Sequence, residues 1–153
     1  MTMPRFLTLA FLALTPALTL AVPASVAQTA DPAQIIRERR EGLRGVGAHM
    51  EALQAIAASR GDPRPALPRI DAITAFFEQF PDRFPPSTQA GDTKAQPAVF
   101  VDRSGFLAAH VGLTGPLANI RTVAAAGDSA AFPAALQQLG GACGNCHRTY
   151  RAR

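Results

Sequence analysis

The chain has 153 residues, 48% of them hydrophobic and 17% charged, with a formal net charge of +4. That length suits one ordinary domain, and the apolar content excludes a disordered polymer. Two cysteines exclude a disulfide-dense scaffold, and no run of about 20 apolar residues follows the first 22, so membrane insertion is not expected. Fourteen of the fifteen basic residues are Arg, with Lys94 the one Lys, and acidic residues are spread among them. This predicts a mildly basic surface and no nucleic-acid partner, which would need such charge gathered on one face.

The N-terminus has the form of a secretory leader. A short segment ending at Arg5 precedes the apolar stretch over residues 6–20, and Ser25-Val26-Ala27 puts small residues at the −3 and −1 positions of a cleavage site. Residues 1–27 are therefore expected to be a signal peptide and residues 28–153 the mature domain, located in the periplasm.

Four helical segments come next. The first opens at Asp31-Pro32, an N-cap followed by Pro in the first helical position. Ile36, Leu43, Met50 and Ala57 then recur every seven residues, with Val46 and Leu53 between them, as on the buried stripe of a bundle helix. Gly42, Gly45 and Gly47 each weaken that helix by roughly 1 kcal/mol relative to Ala, which asks for something bulky close to the backbone. Gly61 to Pro65 closes the segment. A second helix is predicted over residues 67–80, with Leu67, Ile70, Ile73, Phe77 and Phe80 on one face. A loop over residues 81–97, long for a bundle connection, is rich in Pro, Gly, Ser and Thr. The third helix is predicted over residues 98–125, with Phe100, Phe106, Leu107, His110, Leu113, Leu117 and Ile120 inward and a kink at Gly115-Pro116. Gly127-Asp128 ends it and caps a fourth helix carrying Phe132, Leu136, Leu139, Cys143, Cys146, His147 and Tyr150. The expected fold class is all-α, an antiparallel up-down-up-down four-helix bundle.

Cys143-Gly144-Asn145-Cys146-His147 is the sharpest signal in the chain. The spacing C-x-x-C-H is the attachment pattern of c-type haem. Positions i, i+3 and i+4 share a helix face, so both sulfurs can form thioethers to one macrocycle while His147 coordinates its iron. Two other chemistries use similar residues. A zinc site would need a fourth ligand, from His49 or His110. A thioredoxin-like pair usually opens a helix after a strand, whereas this pair sits near the end of one. The leader agrees with haem, whose c-type attachment is completed outside the bacterial cytoplasm.

Six residues follow His147, so any ligand on the other face of the iron must come from upstream. A C-terminal C-x-x-C-H on the last helix of a bundle resembles the cytochrome c′ family. The resemblance runs through Gly127-Asp128, Leu136, Gly140, Cys143, Cys146, His147, Tyr150 and Arg151, and through Arg39, Leu43, Gly47 and Met50 of the first helix. In the central loop it includes Phe84-Pro85-Pro86, Gly91 and Pro97-Ala98-Val99-Phe100. Phe100 stands where many relatives carry Trp, and Arg40 where several carry Gln.

The resemblance implies one covalent haem c with its iron on His147. It places Leu43 over the distal face, leaving the iron five-coordinate, with Arg39 near the haem carboxylates and Arg151 beside the proximal pocket. Diatomic gases, nitric oxide and carbon monoxide, are the implied ligands, with a redox partner of unknown identity and a homodimer through the first two helices, where Gly45 would permit close approach. The alternative is a low-spin electron carrier with Met50 on the iron, although Met50 lies about 10.5 Å of helix rise beyond Leu43. No catalytic triad, paired-carboxylate signature or nucleotide loop is present, and a non-enzymatic role is expected. His110 reads as a packed core or surface histidine, His49 as exposed, and Tyr150 as packed on the haem edge or a neighbouring helix.

Overall fold

A computed structural model describes residues 31–153; the expected leader and the mature start at Gln28 lie outside the described residues. Helix α1, Pro32–Ser59, begins as its capping residues predict: the Asp31 carboxylate accepts the Ala33 N–H, and Pro32, which has no N–H to satisfy, takes the first turn. A single 3₁₀ turn over Arg64–Ala66 leads into α2, Leu67–Glu78. Two further 3₁₀ turns, Pro81–Arg83 and Pro86–Thr88, give the long central loop internal structure.

The predicted third helix is three pieces. Helix α3, Ala98–Val101, stops at Asp102, whose side chain accepts the Gly105 N–H and so starts α4, Arg103–Val111. A second break at Gly112 and Leu113 precedes α5, Thr114–Ala126. The kink expected at Gly115-Pro116 thus falls one turn earlier. The Pro116 ring would clash with the carbonyl of Gly112, four residues back, so the chain breaks there and Pro116 lies in the first turn of a new helix, where no N–H is required. The restart at Asp102 also resets the face: Phe106 and Leu113 are buried, whereas Leu107, predicted inward, is exposed.

Gly127 closes α5 in the left-handed conformation, φ 72°, which glycine adopts without strain. The Asp128 carboxylate accepts the N–H groups of Ala130 and Ala131 ahead of α6, Phe132–Tyr150. Helix α1 packs on α2 and α6, and α5 packs on the same two, so α1, α2, α5 and α6 form a closed four-helix bundle.

Its interior has two parts. Leu53, Ile70, Ile73, Leu117, Ile120, Phe132 and Leu139 anchor a mainly aliphatic cluster. Phe80, Phe84, Val99, Phe106 and Tyr150 anchor an aromatic one. Cys143 packs against the first and Cys146 against the second, which places the motif at the seam between them.

Candidate functional site

The seam opens into a cavity. Its walls come from four places in the chain: Arg39, Arg40 and Leu43 of α1; Thr93, Lys94 and Ala95 of the central loop; Phe106 and His110 of α4; and Cys143, Cys146, His147, Tyr150 and Arg151 at the end of α6. Phe77, Phe80 and Phe84 complete an apolar interior. The structure thus brings Arg39, Leu43, Cys143, Cys146, His147 and Arg151 together, although more than 90 residues separate the two ends of this group.

Both cysteines are free and half-buried. Burial pushes each thiol pKa up, and the neighbouring Cys143 raises that of Cys146 further. His147 is pulled below the ordinary imidazole range, first by desolvation among the cavity walls and then by the positive charge of Arg151. Neutral imidazole is the form that offers a lone pair to a metal.

Arg39 is 2% exposed. Its Nη1 donates to the Arg83 carbonyl at 2.8 Å and to Thr88 Oγ1 at 3.2 Å, and its Nη2 donates to Thr93 Oγ1 at 2.8 Å. The guanidinium carbon lies 4.1 Å from the centre of the Phe84 ring. Burial lowers its pKa, and none of the ion pairs among the described residues gives it a carboxylate. A buried cation in that position calls for an anion. An apolar slot, two thiols and a neutral imidazole on one wall, and a buried guanidinium without a counter-charge fit a haem, which is apolar across its plane and carries two carboxylates.

His49 departs from its sequence reading, whereas His110, Met50 and Tyr150 pack as that reading had them. His110 lines the cavity, and its Nε2 lies 2.7 Å from the Phe77 carbonyl. A carbonyl only accepts, so Nε2 carries the proton and is not available to a metal. His49, read as exposed, is half-buried with Nδ1 enclosed and unpartnered. Met50 packs in the aliphatic cluster and is not among the cavity walls. Tyr150 packs edge-on against Phe106 of α4 and donates its hydroxyl to Asp102 Oδ2 at 2.9 Å. Of the three glycines in α1, only Gly42 faces a close neighbour, the Phe76 ring; a side chain at Gly45 or Gly47 would meet nothing within 4 Å.

Sequence reading missed the loop wall at Thr93, Lys94 and Ala95. The unusual length of that loop was its only sign. The C-terminal segment pairs with it as an isolated antiparallel bridge between Ala95 and Arg151, a contact no local pattern announces.

A family model described as cytochrome C′ matches residues 34–151. Cytochrome c′ from Rhodospirillum rubrum is 31% identical over 130 residues, covering 84% of this chain and 88% of the relative. Cytochrome c-556 from Agrobacterium tumefaciens is 34% identical over 119 residues, covering 76% and 96%. Among solved structures, a nitric oxide complex of a cytochrome c prime variant from Alcaligenes xylosoxidans aligns with a TM-score of 0.73 and 20% identity over 81% of this chain and 98% of that one, a likeness of fold.

Proposed function

Because the chain belongs to the cytochrome c′ family, whose members carry a covalently attached c-type haem, we propose that it is a periplasmic, non-enzymatic haem protein that binds nitric oxide and carbon monoxide and also transfers electrons. One observation carries this reading: Cys143, Cys146 and His147 from α6 and Leu43 from α1 line the same apolar cavity. When bound, the haem would supply an iron able to exchange one electron and to bind a diatomic gas.

The chain's own residues set the terms of that chemistry. Cys143 and Cys146 tether the cofactor, and His147 stays neutral to hold the iron. Leu43 offers no lone pair, so it would border the iron without ligating it and would yield only to a small ligand. Arg39 supplies the buried counter-charge for the haem carboxylates through the N–H groups its loop contacts leave free. Burial lowers the His147 pKa, and the positive charge of Arg151 lowers it further. The bound nitric oxide in the Alcaligenes xylosoxidans structure supports a gas-binding role for the same fold. The leader sequence supports export, and no helix among the described residues is long and apolar enough to cross a membrane.

Absorption spectra of the purified protein, oxidised and reduced, with and without nitric oxide, test the proposal. A high-spin resting spectrum that shifts on gas addition is expected, as is haem that stays with the protein after acid–acetone extraction. A low-spin resting spectrum would overturn the five-coordinate assignment, and extractable haem would overturn the attachment. The alternative carrier with Met50 on the iron would require Met50 to leave the aliphatic cluster.

A further inference from the structure

Charges at the cavity mouth are segregated by sign. Arg40, Lys94 and Arg151 line it, and no carboxylate is among its walls. Arg153 joins them because the C-terminal segment folds back along the central loop. The Ala152 N–H donates to the Lys94 carbonyl at 2.8 Å, the Gln96 N–H to the Tyr150 carbonyl at 3.0 Å, and Lys94 Nζ to the Arg153 main-chain oxygen at 3.1 Å. Asp92 pairs with Arg40 and Lys94 is held by the Arg153 main chain, but no ion pair among the described residues involves the Arg151 or Arg153 side chain, and Lys94, Arg151 and Arg153 are all exposed.

We propose that this rim docks the acidic face of a small soluble redox protein and brings that partner's cofactor to the cavity mouth. The inference rests on the electron-transfer part of the proposed function. In the encounter one electron leaves the partner's cofactor, which is oxidised, and reduces the iron from ferric to ferrous; no bond is made or broken. Unpaired like charges around a concave site raise the local concentration of an anionic partner and orient it, an effect that fades as salt screens the field. A protein surface suits this rim better than a lipid one. The large apolar side chains left exposed, Val101, Leu107 and Val111, belong to α3 and α4 and are not cavity walls, so the rim lacks the apolar face that a membrane-surface element needs.

Stopped-flow reduction of the ferric holoprotein by reduced flavodoxin, a strongly acidic protein, tests the idea, with reduction by a neutral small-molecule quinol as the reference. The flavodoxin rate is expected to fall about tenfold or more as ionic strength rises from about 10 to 300 mM, while the quinol rate stays flat. Arg153→Glu, alone and with Lys94→Gln, should slow flavodoxin several-fold and flatten the salt dependence. Arg69→Glu, at the start of α2 and toward the far end of α1, should change the rate far less. A flavodoxin rate indifferent to salt, or equal effects of Arg153→Glu and Arg69→Glu, would overturn the docking proposal. So would stronger retention on phosphatidylglycerol vesicles at physiological salt than on flavodoxin, which would make the rim a lipid site. A purified protein without a haem absorption band would instead sink the haem reading itself, so the two failures are distinguishable.

Discussion

Leu43 and Met50 occupy the same stripe of α1, yet only Leu43 reaches the cavity. Leu43→Ala is expected to raise carbon monoxide affinity by removing the side chain that a ligand must displace. Its cost in stability should be about 2 kcal/mol, the low end for a Leu truncation, because the side chain already borders open space. Met50→Leu fills the same core volume and should cost less than about 1.5 kcal/mol while leaving the haem spectrum unchanged. Gas titration and chemical denaturation of the two variants check both expectations. A spectral change from low to high spin in Met50→Leu would reassign the sixth ligand.

Tyr150 and Asp102 connect two elements, the end of α6 and the start of α4. The Tyr150 hydroxyl, and after it the Gly105 N–H, hold the Asp102 carboxyl below the usual carboxylate range. A folded pKa below the unfolded one stabilises fully above the unfolded value and is lost as pH falls through the folded one. Tyr150→Phe should therefore lower the thermal midpoint at neutral pH, and the difference from the parent protein should shrink below about pH 4. Midpoints measured across that range test it, and a difference independent of pH would mean that Tyr150 acts through packing alone. Helix α1 offers a second comparison. Gly45→Ala and Gly47→Ala meet nothing within 4 Å among the described residues and should each stabilise a monomer by about 1 kcal/mol. Gly42→Ala would drive a methyl group into the Phe76 ring and should cost about 1–3 kcal/mol in spite of its better helix propensity.

For the whole molecule, the open backbone at Gly45 and Gly47 bears on assembly. We propose that the homodimer through the first two helices, which the family resemblance implies, gives Gly45 a use that the single chain does not. Sedimentation should show a dimer at working concentration, and Gly45→Ala should shift it toward monomer even as it steadies the isolated helix. A monomeric parent protein would reject the proposal.

Features that arise between near neighbours in the chain are legible in the amino-acid sequence alone. Asp31 and Asp128 announce their caps, Gly127 announces its left-handed stop, and the 3.6-residue periodicity marks the buried stripes of α1, α2 and α6. The spacing of Cys143, Cys146 and His147 likewise states its chemistry, because one helix turn alone puts the three on one face. Where Pro116 would break the chain was readable only to within a turn, since the carbonyl that its ring excludes lies four residues back. Which residues share the cavity is settled only once the chain has folded. Arg39 became a buried strut of the central loop because Thr88 and Thr93 happen to meet it, and Lys94 joined Arg151 and Arg153 through a backbone bridge between distant segments. Such contacts depend on the closure of long loops, and local pattern carries no record of which distant groups that closure will bring together.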